Sequence, residues 1–237
     1  MHVSAHTDVG QEKQTNEDAV VTAQFDDVSL LVVADGMGGH AAGDIASEEA
    51  TAEIENHVSG ALTDGRTDYE VILKEAIEFA DERVRERAEA TTSRSGMGTT
   101  VVAAIVGDKQ VVIGNVGDSR AYEVDNSLTQ ITVDHSFVQE LISEGEITPE
   151  EATTHPQRNV VTQALGTEED INPDFFSPVV QNYLLLCSDG LTEEVPEETI
   201  REMVNDTSEI EATTDELVQK ANENGGSDNI SVILADV

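Results

Sequence analysis

Carboxylates that stand where strand-like runs end are the residues of this sequence best suited to chemistry. Three apolar runs are each followed closely by an aspartate and a small residue. The runs and their aspartates are 30–34 with Asp35, 111–116 with Asp118, and 184–187 with Asp189. A fourth aspartate, Asp228, precedes the last apolar run, and the pair Glu17-Asp18 stands at the start of another. Because such runs are typical of buried strands, the pattern predicts several carboxylates at strand ends.

These carboxylates could hold divalent cations. Mg²⁺ and Mn²⁺ prefer carboxylate and carbonyl oxygens together with waters. Two such ions about 3.5–4 Å apart need a bridging carboxylate and several flanking ones, which neighbouring strand ends can supply. Any one Asp-Gly pair has a simpler interpretation as a turn, especially in a chain rich in acids. Their recurrence after three apolar runs favours a metal centre.

A phosphate site at the same place is the rival interpretation. Residues 36–41 fit G-x-G-x-x-G/A between a strand and a helix, the signature of a dinucleotide-binding oxidoreductase. Asp35 would set a negative charge against the pyrophosphate, however, and the chain lacks continuous βαβ alternation. The sequence has no G-x-S-x-G or H-E-x-x-H motif, and its single Cys187 lies inside an apolar run. Serine or cysteine nucleophiles and a zinc protease therefore have no support.

Blocks of predicted strands and blocks of predicted helices follow one another along the chain, and they would position these carboxylates. Strands are predicted at 3–8, 19–23, 29–34, 99–106, 110–116, 120–124, 128–133, 183–187 and 229–237, and helices at 43–58, 137–145, 149–154 and within 196–224. Another helix is expected to begin at a capping box of Thr67 and Glu70. The strands at 19–23 and 29–34 should form a hairpin, and the four strands between 99 and 133 an antiparallel meander. This order predicts an α+β fold in one domain.

The charge balance is strongly acidic. The chain of 237 residues has 12 Lys and Arg against 49 Asp and Glu, a formal net charge of −37. Clean apolar runs argue against disorder, so we expect a folded protein with an acidic surface, adapted to a salt-loaded cytoplasm. This charge argues against binding nucleic acid or anionic membranes. No run approaches the roughly 20 apolar residues of a membrane span, and no secretory signal is visible. We expect a cytoplasmic monomer without disulfides.

The motifs taken together resemble the metal-dependent protein phosphatase family, the type 2C serine/threonine phosphatases, and particularly its bacterial-type catalytic domains. They run in order along the whole chain: 8–10 (DVG), 16–18 (NED), 33–40 (VADGMGGH), 96–100 (GMGTT), 117–122 (GDSRAY), 129–132 (TQIT), 145–152 (GEITPEEA), 155–159 (HPQRN), 186–191 (LCSDGL) and 226–230 (GSDNI). The resemblance implies a four-layer α-β-β-α sandwich of two antiparallel sheets flanked by helices. Residues 1–237 would form one catalytic domain with a flap subdomain at about 136–165.

The resemblance also implies a metal centre and its chemistry. Two Mn²⁺ or Mg²⁺ ions, with a possible third, would activate a water that attacks phosphoserine or phosphothreonine in proteins. Asp35, Asp189 and Asp228 would be the catalytic residues. The implied metal ligands are Asp35 as the bridge, the carbonyl of Gly36, Asp189, Asp228, Glu17 and Asp18 directly or through water, and Asp118 at the third ion. The substrates would be phosphorylated proteins in signalling, opposed by a serine/threonine kinase.

Two positions depart from the family pattern. Lys13 stands where members commonly have a phosphate-binding arginine, which keeps the positive charge but loses the bidentate fork. Met37 stands where animal members have a proposed general acid, and His40 does not inherit that role. The alternative function is a catalytically silent regulatory or binding module of the same fold. The intact set of Asp35, Asp189 and Asp228 argues against that alternative.

Overall fold

A computed structural model describes residues 1–38, 42–90, 96–108, 110–167, 170–206 and 209–237. The strands are β1 (His2–Asp8), β2 (Asp18–Phe25), β3 (Val28–Met37), β4 (Gly98–Thr99), β5 (Val101–Gly107), β6 (Gln110–Val116), β7 (Arg120–Val124), β8 (Leu128–Gln130), β9 (Asp174–Phe176), β10 (Tyr183–Cys187) and β11 (Ile230–Asp236). The helices are α1 (Gly43–Thr63), α2 (Tyr69–Glu89), α3 (Phe137–Glu144), α4 (Pro149–Ala152), α5 (Asp189–Thr192), α6 (Glu197–Asn205) and α7 (Ile210–Asn224). Within these ranges, no helix combines the length and apolar character needed to cross a membrane.

The strands form two antiparallel sheets. One has the order β1-β11-β10-β7-β8, and the other has the order β2-β3-β5-β6-β9 with β4 beside β3. Strand β3 is apolar on both faces because both faces are buried. Its Leu31 and Val33 belong to a core that also contains Leu184 and Leu186 of the opposite sheet. The predicted hairpin of β2 and β3 is confirmed.

Helices cover the outer face of each sheet. Leu30, Val32 and Ala34 of β3 point away from the opposite sheet and pack in a second core with α1 and α2. The outer face of the other sheet packs in a third core against α6 and α7. Apolar side chains such as Ile54 of α1 are fully buried there, and each such burial stabilises the fold by about 1.5–3 kcal/mol. The predicted α-β-β-α sandwich is confirmed.

The predicted meander is wrong at one point. Strands β5 and β6 pair in one sheet, and β7 and β8 pair in the other, so the chain changes sheets between β6 and β7. Gly117 makes this crossing with φ +107°, and a Cβ there would lie 2.5 Å from the Thr100 side chain. Strand periodicity does not reveal which sheet a strand joins. The crossing brings Asp118 to the edge of the sandwich rather than into an ordinary hairpin turn.

Other boundaries also differ from the predictions. Strand β3 continues past Asp35, because Gly36 and Met37 pair with β4. The capping box of Thr67 and Glu70 does not form; Asp68 is the N-cap residue of α2, and its carboxylate is bound by Arg66. The predictions also missed the short elements β9 and α5 and ended the strand at 128–133 too late.

Between β8 and β9 the chain leaves the sandwich to form α3 and α4. Ser136 accepts a hydrogen bond from the Gln139 N–H at the start of α3, and Thr148 forms a capping box with Glu151 at the start of α4. Isolated bridges join Ser136 to Val161 and Thr99 to Leu165, and they close the base of this excursion. Both predicted short helices are present, and a flap at about 136–165 stays a prediction.

A candidate metal centre at one edge of the sandwich

The predicted carboxylates approach one edge of the sandwich from both sheets. Asp18 and Asp35 are directly opposed residues on β2 and β3. Asp189 begins α5 one residue beyond the end of β10, and Asp228 lies just before β11, the neighbour of β10. Asp118 lies in the crossing between the sheets. The topology thus brings together five acids that are spread over more than two hundred residues of sequence.

Burial and neighbouring negative charges raise the pKa values of Asp18, Asp35, Asp118 and Asp189. Burial raises the pKa of Asp35 well above its ordinary value, and the negative charges of Asp18, Asp189, Asp118 and Asp228 raise it further. Burial, followed by the charges of neighbouring acids, does the same for Asp189. Burial likewise raises the pKa values of Asp18 and Asp118 to about 6. Like charges gathered without a cation destabilise this edge of the fold.

Unpaired oxygens in the cluster fit a cation. The Asp18 Oδ1 and Asp189 Oδ1 atoms are buried and have no hydrogen-bond partner among the described residues. A divalent cation would satisfy both the unpaired oxygens and the surplus negative charge. No group of three or more His, Cys, Asp or Glu side chains within the described ranges is arranged to hold an ion alone. Water and backbone carbonyls would therefore complete the ligand set, as Mg²⁺ prefers.

Threonines of the β4–β5 segment fix the backbone of Asp35. The Asp35 N–H donates to Thr100 Oγ1 at 3.1 Å, and the Asp35 carbonyl accepts from the Thr100 N–H at 2.9 Å and from Thr99 Oγ1 at 2.9 Å. Thr100 Oγ1 also lies 2.8 Å from Ser119 Oγ, next to Asp118. The two threonines therefore link the backbone of Asp35 to the sheet crossing. Both threonines belong to the sequence motif at 96–100, but nothing in the sequence indicates that they bind the backbone of Asp35.

Gly36 and Glu17 pack backbone against backbone. The Gly36 N–H donates to the Glu17 carbonyl at 3.1 Å, and Ser47 Oγ donates to the same carbonyl at 2.6 Å. A Cβ on Gly36 would lie 2.1 Å from the Gly43 carbonyl oxygen, so this position requires glycine. Burial raises the pKa of Glu17, and Lys13 opposes that effect. That the Gly36 carbonyl is a metal ligand stays a prediction.

Two side chains hold the segment around Asp228. Asn229 accepts from the Glu17 N–H at 2.7 Å and donates to the carbonyls of Val9 and Thr15. Glu194 Oε1 accepts from the N–H and the hydroxyl of Ser227 at 3.0 and 2.6 Å. Asn229 was part of a sequence motif. Glu194 was missed, because nothing distinguishes it from the many other acids of the chain.

Lys13 lies within the cluster. Its Nζ is 2.5 Å from Asp228 Oδ1, and about two-fifths of its side chain is exposed. Burial lowers the pKa of Lys13, but the hydrogen bond and charge of Asp228 and the charges of Asp35 and Glu17 raise it overall. The acids Asp228, Asp35 and Glu17 thus hold the Lys13 ammonium group next to the candidate metal centre. Contact with phosphate stays a prediction, and His40 lies outside the described residues.

A groove leads away from the cluster towards α3 and α4. Its volume is about 690 Å³, and Asp118 and Asp189 line the end nearest the cluster. Arg120, also in the groove wall, binds Asp134 through three hydrogen bonds of 2.6–3.0 Å. Arg158 faces Glu193 across 4.0 Å and stays half exposed. The groove thus connects two acids of the cluster with the α3–α4 excursion.

Together, the two packed antiparallel sheets and the acidic edge form a domain built around a candidate metal centre. A family model described as "Protein phosphatase 2C" matches residues 7–235. The chain belongs to the protein phosphatase 2C family. The predictions of the family and of its enzymatic class, a protein serine/threonine phosphatase, are confirmed.

Named relatives align with essentially the whole chain. The serine/threonine phosphatase stp of Listeria monocytogenes is 42% identical over an alignment of 243 positions. The alignment covers 100% of this chain and 96% of the relative. The crystal structure of serine/threonine phosphatase Stp1 from Staphylococcus aureus has a TM-score of 0.90 at 40% identity and covers 99% and 94% of the two chains. The catalytic domain of the phosphatase PstP, crystallised with two manganese ions, has a TM-score of 0.85 at 35% identity and covers 99% and 97%.

Proposed function

We propose that this serine/threonine phosphatase hydrolyses phosphoserine and phosphothreonine in proteins at a centre of two Mn²⁺ or Mg²⁺ ions. The observation that carries the proposal is the set of buried and half-buried carboxylates at one edge of the sandwich, with unpaired buried oxygens on Asp18 and Asp189. The relative PstP was crystallised with two manganese ions, which supports the same pair of sites here. When bound, two such ions supply an activated water and offset the charge of the phosphoryl oxygens.

The chain's own residues would hold and orient the reactants. We assign Asp35 to the bridge between the ions, and Asp189 and Asp228 to the flanking positions. Glu17 and Asp18 would contribute directly or through water, together with the Gly36 carbonyl. Asp118 would serve a third, weaker ion.

Phosphate binding would involve Lys13. Its ammonium, already held by Asp228, would contact phosphoryl oxygens as a point charge, without the bidentate geometry of arginine. This contact would weaken the pairing of Lys13 with Asp228. A metal ion at Asp228 would compensate for that loss.

Substrate proteins would bind along the 690 Å³ groove. The phosphorylated residue would reach the carboxylate end at Asp118 and Asp189, and the flanking chain would pass Glu193 towards α3 and α4. Residues 136–165 would then form a flap that contacts the substrate. We assign residues 1–237 to one catalytic domain that works as a monomer in a salt-rich cytoplasm, where it opposes a serine/threonine kinase in signalling.

The direct test is phosphate release from a phosphothreonine peptide with Mn²⁺, Mg²⁺ or EDTA, at low and molar KCl. Asp35→Asn and Asp189→Asn should each lower kcat by roughly 100-fold or more, the scale on which removing an electrostatic stabiliser acts. Asp27→Asn, in the exposed β2–β3 turn, is the matched control and should behave as wild type. Wild-type rates in both site variants would refute the proposal. A wild-type protein that binds Mn²⁺ without turnover would favour the silent-module alternative instead.

A further inference from the structure

His135 connects three parts of the molecule near the proposed third-ion ligand. It follows β8 in the chain, and its side chain is buried with 9% of its surface exposed. Its ring Nδ1 accepts a hydrogen bond from the Gly117 N–H at 3.1 Å. The backbone N–H of His135 donates to the Gly117 carbonyl at 2.9 Å. Both polar groups of Gly117, the residue before Asp118, are therefore bound by the same histidine.

The other side of the imidazole faces β9. His135 Nε2 lies 3.2 Å from Asp174 Oδ2. Because a backbone N–H can only donate, Nδ1 must be the acceptor, so the ring proton is on Nε2 and is donated to Asp174. A carboxylate that orients a histidine in this way fixes both its tautomer and its ring plane.

The backbone of His135 also reaches the base of the α3–α4 excursion. Its carbonyl accepts from the Thr162 N–H at 2.8 Å, and the next residue, Ser136, forms a bridge with Val161. Gly117 has a positive φ and little free space around it, and His135 and Asn115 bind its polar groups. A change at His135 would thus reach both the sheet crossing and the proposed flap.

We propose that His135, oriented by Asp174, is a positioning residue that holds the Gly117–Asp118 crossing in its metal-binding conformation and joins it to the base of the α3–α4 excursion. This inference rests on the proposed function in one respect, the assignment of Asp118 to a metal ion. We assign to His135 no direct contact with substrate or metal; it would act through the Gly117 backbone.

A matched pair of substitutions tests the role of Nδ1. In His135→Asn the amide oxygen occupies the place of Nδ1 and can still accept from Gly117, whereas in His135→Gln the acceptor lies near the place of Nε2 and cannot. The full-length proteins are titrated with MnCl₂ by calorimetry, beside wild type and Asp118→Asn. Half-saturating Mn²⁺ for peptide hydrolysis is measured in parallel, and near-UV circular dichroism checks the fold.

We expect His135→Gln to weaken the Asp118-dependent Mn²⁺ binding by about 10- to 100-fold, the usual cost of losing a group that orients a ligand. His135→Asn keeps the acceptor for Gly117 but loses the Asp174 contact, so it should bind about as well as Asp174→Ala and better than His135→Gln. Equal Mn²⁺ binding by the two variants, or a wild type with no Asp118-dependent Mn²⁺ binding, overturns the inference.

Asp174→Ala, at a half-exposed side chain, is a second variant in case His135→Gln does not fold. It should weaken the same binding, and unchanged binding would also overturn the inference. Absence of turnover in wild type would refute the proposed function, while the binding titration still tests His135.

Discussion

Replacing Asp35 by asparagine should stabilise the metal-free protein. Asp35 and Asp18 are directly opposed on β3 and β2, and such pairs lie about 5 Å apart between Cβ atoms. Two unit charges at that distance repel by about 3 kcal/mol at an effective dielectric constant of about 20. Asp189, Asp118 and Asp228 add repulsion of the same sign. Asparagine keeps the size of the side chain and removes its charge.

The effect should depend on pH in a definite direction. The folded protein holds the pKa of Asp35 above its ordinary value of 3.8. A carboxyl group with a raised folded pKa stabilises the fold most fully below its unfolded pKa, and this contribution is lost as pH rises through the folded pKa. Asparagine does not titrate. The stability advantage of Asp35→Asn in EDTA should therefore grow from pH 5 to pH 8.

Thermal unfolding followed by circular dichroism measures both effects. For a chain of this size, 1 kcal/mol corresponds to about 2–4 °C in Tm, so the 3 kcal/mol from Asp18 alone corresponds to about 6–12 °C. Protonation of the wild-type carboxyl relieves part of the repulsion and lowers the observed gain. At a Mn²⁺ concentration of 1,000 Kd the order should reverse, because wild type gains about 4.1 kcal/mol and the variant does not. Asp27→Asn should match wild type throughout. A lower Tm for Asp35→Asn than for wild type in EDTA would refute this reasoning.

Three further predictions concern other parts of the molecule. Glu194→Ala should weaken Mn²⁺ binding by about 10-fold or more, because Ser227 loses its acceptor, whereas Glu194→Gln keeps an acceptor oxygen and should restore binding; equal losses in a Mn²⁺ titration would contradict this. Burial raises the pKa of the Cys187 thiol to about 12, so a disulfide reagent at pH 8 should label it only at the rate of unfolding; fast labelling of the native protein would disprove its burial. The net charge of −37 predicts that molar KCl raises Tm by screening repulsion, whereas a Tm independent of KCl would count against salt adaptation.

The local elements were readable from the sequence because their signals are local. The strands at 110–116 and 120–124 were predicted at their observed bounds, since short apolar runs between glycines and aspartates have few other interpretations. Apolar runs of this kind also identified Asp35, Asp118 and Asp189 as candidates, because each run ends close to one of them. The two-sheet sandwich came from the family resemblance, because periodicity shows that a strand is buried but not which sheet it joins.

The tertiary structure alone decided how the candidate site is held. The change of sheet at Gly117 depends on packing against Thr100, which the sequence around Gly117 does not record. Glu194 and His135 act through partners 33 and 18 residues away, and no local pattern marks either one among the other acids and histidines. The sequence by itself determined which carboxylates are available and that strands end near them. Only long-range packing decided that they share one edge, since burial and mutual repulsion arise when distant strands meet.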